Sequence, residues 1–177
     1  MCCEYRAIEM KPEQFSSVET VTTRPTLLRR ATAADQPQIT ALIRTARLNR
    51  LSLDWRRFVV ADAGGRIVGT GQVKPHGDGA RELASIAVAA DRQGAGIGGA
   101  LVATLIALEP PPLYLYCAEY NERYYLRFGF RTLTPAEMPR SLRRIHLFAN
   151  TLLGALNFVT GQQRRLVVMG RGLPAGA

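Results

Sequence analysis

The spacing of apolar positions changes several times along this chain, and each change marks an element. Residues 26–30, TLLRR, form a short apolar run that reads as a first strand. Thr32 with Asp35 three positions on is close to a capping box, and Pro37 falls where a first helical turn tolerates proline. Ile39, Leu42, Ile43 and Ala46 then recur at helical spacing, predicting a helix over 33–48 with one face on a sheet. Residues 49–57 are short and basic around the single tryptophan, Trp55, which suits a core anchor. Strand patterns follow at 58–61 and 67–73, joined by Asp62-Ala63-Gly64-Gly65-Arg66, a hairpin signal.

A turn at 74–79 leads into the central stretch, ELASIAVAADRQGAGIGGAL, residues 82–101. Residues 83–88 read as a buried strand, 89–93 as a polar loop, and four glycines then crowd into six positions: Gly94, Gly96, Gly98 and Gly99. Leu101, Val102, Leu105, Ile106 and Leu108 are spaced as a helix, which Pro110, Pro111 and Pro112 stop. Beyond lie a strand at 113–117, a short helix at 121–128 ended by Gly129, and a strand at 130–133. A helix at 145–158 and a final strand at 165–169 complete the order, with a frayed end at 172–177. Residues 1–25 are polar and aperiodic and read as a loosely held arm, leaving 26–177 as one domain. Hairpins followed by strand–helix–strand predict an α/β (α+β) fold, a mixed sheet with helices on its faces.

Composition narrows the classes. At 177 residues with 47% apolar content and a mean hydropathy of −0.03, the chain suits one soluble globule. With no apolar window of membrane-spanning length and no basic-then-apolar leader, the expectation is a cytoplasmic protein without stable membrane insertion. Cys2, Cys3 and Cys117 make no disulfide framework, and with two solitary histidines, His76 and His146, they make a poor metal set; no metal is expected. Both histidines read as surface or packing residues. The net charge of +9 suits nucleic acid, an anionic surface or a phosphorylated small molecule. Sparse aromatics and the lack of a recognition motif argue against nucleic acid. Leu142, Ile145, Leu152, Leu153 and Leu156 form a broad apolar face beside a basic patch at 139–144. A membrane-surface or partner helix competes there with an ordinary helix covering the sheet, which is preferred. A homodimer through this helix near Leu152 stays open.

Strand, glycine loop and helix form a device for holding phosphate: glycines let successive N–H groups turn inward, and the helix start adds partial positive charge. A P-loop would need Gly-Lys-Ser or Gly-Lys-Thr, which Gly98-Gly99-Ala100 is not. Gly94, Gly96 and Gly99 satisfy G-x-G-x-x-G, and Glu119 lies 20 residues beyond Gly99, so a dinucleotide-binding Rossmann-type module is one alternative. Against it, five residues separate the strand end from the first glycine, and hairpins precede the strand.

Gln93-Gly94-Ala95-Gly96-Ile97-Gly98 resembles the [Arg/Gln]-x-x-Gly-x-[Gly/Ala] signature of the GNAT superfamily of N-acetyltransferases. Three further segments resemble that superfamily in order: 28–35 its first strand and helix start, 113–117 the strand after its CoA helix, and Tyr124-Tyr125-Leu126-Arg127-Phe128-Gly129-Phe130 its F-Y-E-R-x-G-F segment. The resemblance spans about residues 26–135. It implies a GNAT-type mixed, mostly antiparallel sheet of six to seven strands flanked by helices, and transfer of an acetyl group from acetyl-CoA to a primary amine on a small molecule or peptide. It also implies that backbone groups of Ile86, Ala87 and Val88 pair with the pantetheine arm. Gln93, Gly94, Ala95, Gly96, Ile97, Gly98 and Gly99 would take the pyrophosphate, with Arg92 a further phosphate contact. Glu82, six residues before Val88, stands where histone-type members carry a general base; the competing reading is a strand-end carboxylate paired with Arg81. Tyr125 matches the general acid and Tyr124 the preceding aromatic, lying on the cofactor or in the core. Ala118 stands where the family often has an asparagine, so Asn121 is a candidate replacement contact. A CoA-binding regulatory domain without catalysis is the alternative within the fold.

Overall fold

A computed structural model describes residues 25–160 and 165–173, with 153–160 described by backbone alone. The arm at 1–24 and the end at 174–177 lie outside the described residues, as do the side chains of Leu153 and Leu156. Chain order is β1 (Leu27–Arg30), α1 (Gln36–Thr45), β2 (Phe58–Asp62), β3 (Ile67–Pro75), β4 (Arg81–Val88), α2 (Ile97–Leu108), β5 (Leu113–Ala118), α3 (Glu122–Leu126), β6 (Arg131–Thr132), α4 (Arg140–Thr160) and β7 (Leu166–Arg171). The seven strands make one sheet in the order β1-β2-β3-β4-β5-β7-β6. Every neighbouring pair is antiparallel except β4–β5. A doubly wound dinucleotide fold is built on a mostly parallel sheet, whereas five of these six strand pairings are antiparallel, so that alternative is set aside.

Alternation along the strands divides the core between two faces. Val59, Ala61, Val68 and Leu115 turn toward Leu101, Val102 and Leu105 of α2. Phe58, Val60 and Ile67 turn the other way, onto Ile39 and Ile43 of α1. Tyr114 and Val168 join Met138 and Leu142 under the start of α4. The strands carrying the site are therefore held from both sides.

Local chemistry sets where each element stops. Thr32 and Asp35 form the expected capping box, closing a 3-10 turn at Ala33–Asp35. Arg29 donates to Asp35 at 2.7 and 2.9 Å and to Asp62 at 2.9 Å, tying the end of β1 and the start of α1 to the end of β2. That guanidinium holds the Asp35 carboxyl far below the usual carboxylate range, even though burial acts the other way. The helix predicted over 33–48 ends at Thr45, because Arg47 adopts φ 54° and Leu48 N–H donates to Ile43 O at 3.1 Å. That is a Schellman closure without its usual glycine. The strand predicted at 130–133 shrinks to two residues, and the helix at 121–128 to five.

α4 departs most from its predicted face. Leu142 is fully buried, but Ile145 and Leu152 are 44% and 62% exposed, together with Leu147 and Phe148. The side toward the sheet instead carries Asn150, which donates to Leu166 O at 2.9 Å and accepts from Leu166 N–H at 3.0 Å. α4 does cover the sheet, yet its outer apolar residues are spread around the helix. Its first turn is capped from far away: Asp78, in the β3–β4 turn, accepts from Ser141 N–H and Ser141 Oγ–H, each at 2.8 Å. These bonds hold the Asp78 carboxyl below its usual value. Among the described residues no helix is long and apolar enough to cross a membrane.

Candidate active site

β4 carries the site, and two irregularities make it one. Thr70 pairs with Ala87 and Gln72 with Ala84, so Ser85 and Ile86 together oppose Gly71, a bulge. Ser85 has φ 58°, and two fully buried side chains hold it there. Thr70 Oγ1 donates to Ser85 O at 3.1 Å and Gln72 Nε2 to Ser85 Oγ at 2.9 Å. The extra residue reverses the alternation, so that Leu83 before the bulge and Ile86 and Val88 after it all pack on the α2 face. The second irregularity is on the other edge. β4 and β5 share one register pair, Glu82 with Tyr114, and beyond it they part. The β4 backbone from Ser85 to Val88 is left facing the gap, an edge that an extended ligand can pair with.

Past Val88 the chain makes a 3-10 turn at Ala90–Arg92 and enters the glycine loop. Gly94 and Gly96 take φ 80° and 78°, left-handed values that free rotation at glycine permits, and Gly96 caps α2. A cavity of about 360 Å³ opens there, lined by Val88, Arg92, Gln93, Gly94, Gly96, Ile97, Gly98, Gly99, Tyr124 and Arg127. Unsatisfied N–H groups at the start of α2 and the side chains of Arg92 and Arg127 make it suited to an anion. A Cβ on Gly98 would lie 3.2 Å from Tyr124 Oη and 3.7 Å from Val88 Cγ2, so the cavity exists because that position has no side chain.

Most of the predicted loop residues line this cavity. Arg127 does too, stacked 4.1 Å over the Tyr124 ring, and was missed although it lies within the matched segment. Ala95 is exposed beside the cavity, and Asn121, exposed at the start of α3, does not line it. Tyr124 lines the loop cavity, whereas Tyr125 packs edge-on to Tyr124 at 5.0 Å and to Phe130 at 6.2 Å. Burial first, then the nearby Cys117, pushes the Tyr125 phenol up to about 12.

Glu82 lies at the other end of β4, on the sheet face opposite α2. Its carboxylate pairs with His76 rather than Arg81: Nε2 and Oε2 are 2.8 Å apart, and both side chains are 15% exposed. Arg81 instead donates to Pro111 O at 3.0 Å. His76 therefore does not stand alone as its sequence position suggested. A cavity of about 370 Å³ opens over Glu82, lined by Leu48, Asn49, Lys74, Leu83, Ala84, Ser85, Tyr116, Ile145, Ala149 and Leu166. Tyr116 donates to Leu142 O at 2.8 Å; burial and then the Glu82 charge raise its phenol well above the ordinary value. One strand thus joins an anion-binding loop to a partly buried carboxylate–imidazole pair. Among the described residues no group of three or more His, Cys, Asp or Glu gathers as a metal site requires.

Residues 54–132 match the family model of the acetyltransferase (GNAT) domain. No curated protein sequence matches the chain significantly. The fold is similar to N-acetylglutamate synthase from Neisseria gonorrhoeae, complexed with coenzyme A and N-acetyl-glutamate, at 22% identity and TM-score 0.63, over 82% of this chain and 34% of that one. It is similar to Rv2747 from Mycobacterium tuberculosis in complex with CoA, at 20% identity and TM-score 0.63, over 84% of this chain and 99% of that one. Ard1 from Thermoplasma volcanium aligns at 15% identity and TM-score 0.57, over 82% and 96%. The chain spans about a third of the length of the synthase and nearly all of the other two.

Proposed function

From the match of residues 54–132 to the acetyltransferase (GNAT) domain, we propose that the chain moves an acetyl group from acetyl-CoA to a primary amine. The observation that carries this reading is the placement of both halves of the chemistry on β4. The glycine loop follows one end, and Glu82 stands at the last paired rung near the other.

In this reading the first turn of α2 and the loop N–H groups hold the pyrophosphate, assisted by Arg92 and Arg127. The β4 edge turned away from β3 at Ile86, Ala87 and Val88 holds the pantetheine arm as an added strand would. Acetyl-CoA supplies the activated thioester. Amines are mostly protonated near neutral pH, so a proton must leave nitrogen before it can attack. Glu82 takes that proton, with His76 fixing the carboxylate in place. The N–C bond forms as the C–S bond breaks, the departing sulfur takes a proton from the Tyr125 hydroxyl, and the second proton that the nitrogen sheds on becoming an amide returns to the phenolate through water.

The test is Glu82→Gln. Turnover at neutral pH should fall about 10²-fold or more, the usual loss of a positioned base, while acetyl-CoA binding by calorimetry stays near wild type. An unaltered pH–rate profile in that variant would remove Glu82 from the mechanism. Acetyl-CoA binding without transfer to any amine would favour a regulatory CoA-binding domain instead.

A further inference from the structure

The cavity over Glu82 contains a second charge that the transfer reaction itself does not require. Lys74 of β3 sits directly across from Glu82 in register, so their Cα atoms lie about 5 Å apart. Both line the cavity. A lysine and a glutamate opposite each other on one sheet face ordinarily pair. Here Glu82 bonds His76 instead, and the Lys74 side chain forms no hydrogen bond or ion pair with any described residue. Lys74 is half-buried and lines the cavity together with Asn49, Tyr116 and Ile145.

A partly buried ammonium without a counter-ion is costly unless a ligand supplies one. The cavity therefore offers a proton acceptor for an amine and, one rung away, a cation for an anion. Its complement is a molecule carrying an amine and a carboxylate close together. A polyamine would place a second positive charge against Lys74, and a lysine within a protein has no carboxylate next to its amine. We propose that the acceptor is a free amino acid whose carboxylate binds Lys74 while its amine faces Glu82. This rests on the acetyl-transfer reading above and specifies its substrate class.

The experiment compares wild type, Lys74→Met and Lys74→Arg on a panel of free amino acids and their α-carboxamides, with spermidine as a cationic control. Stabilisation of each variant by acetyl-CoA is measured alongside. The carboxamides have less basic amines and more free nucleophile at neutral pH, so intrinsic reactivity favours them. Wild type is expected to prefer at least one acid over its carboxamide by about tenfold or more in kcat/KM. Lys74→Met should erase that preference with acetyl-CoA stabilisation intact, and Lys74→Arg should retain part of it. Equal use of acids and carboxamides, preference for spermidine, or an unchanged preference in Lys74→Met would overturn the carboxylate anchor and leave acetyl transfer standing. Absence of both acetyl-CoA stabilisation and transfer to any amine would overturn the two readings together.

Discussion

Tyr124 and Tyr125 are neighbours in α3 yet meet different surroundings, one at the phosphate cavity and the other against Phe130. The difference fixes what Tyr125 can do. An acid acts only below its pKa, and this phenol, pushed up to about 12, keeps its proton throughout the range in which an amine can be made nucleophilic. Wild-type turnover should therefore show no fall between pH 7 and 10 from loss of this proton. Tyr125→Phe should lower kcat by about 10²-fold with little change in KM for acetyl-CoA. Undiminished turnover would dispose of the assignment. At this scale the sequence was informative where backbone shape decides the outcome, as at the left-handed Gly94 and Gly96. It was silent on His76, because the contact with Glu82 exists only once the Gly77-Asp78-Gly79 turn folds β3 back on β4. Lys74 was equally invisible, since its meaning comes from the partner that Glu82 takes instead.

The decisive element is β4, whose bulge no periodicity announces. A faint trace does exist: Leu83, Ile86 and Val88 share a face only if one residue is inserted between them. Gly71 is the partner position that makes room. A Cβ there would come within 2.6 Å of Ile86 Cδ1 and 2.8 Å of Leu105 Cδ1, closer than side chains tolerate. Gly71→Ala should destabilise the fold by about 1–3 kcal/mol, the usual cost of overpacking a tight core, read as a lower urea midpoint at constant m-value. An unchanged midpoint would show that Ile86 yields freely and that the bulge is not fixed by packing. α1 was legible apart from its end, which a left-handed arginine rather than a glycine closes. α4 was legible as a helix, but its apolar spacing misled because Asn150, not leucine, meets the sheet edge.

Across the whole molecule, element order and the glycine loop between β4 and α2 were readable from the chain, while the parting of β4 from β5 was not. Strand parting depends on pairing between segments about 30 residues apart. If that gap receives CoA, the folded state should gain what the ligand binds with. Acetyl-CoA at a hundred times its dissociation constant adds about 2.7 kcal/mol, roughly 5–10 °C in Tm for a domain of this size. NAD and NADP at equal concentration should leave Tm unmoved. A larger shift with NAD would remove CoA from the glycine loop.

The bonds from Ser141 to Asp78 carry a mechanical consequence. The β3–β4 turn that brings His76 to Glu82 is the same turn to which the front of α4 is moored, and Ile145, one turn further along α4, lines the cavity over Glu82. Cavity wall and carboxylate are thus on one tether. If α4 lifts while Asp78 holds, it pulls on the turn that seats the imidazole. Under the proposed mechanism, a cavity left ajar would also slacken the carboxylate–imidazole pair, so that seating an acceptor and arming the base become a single motion.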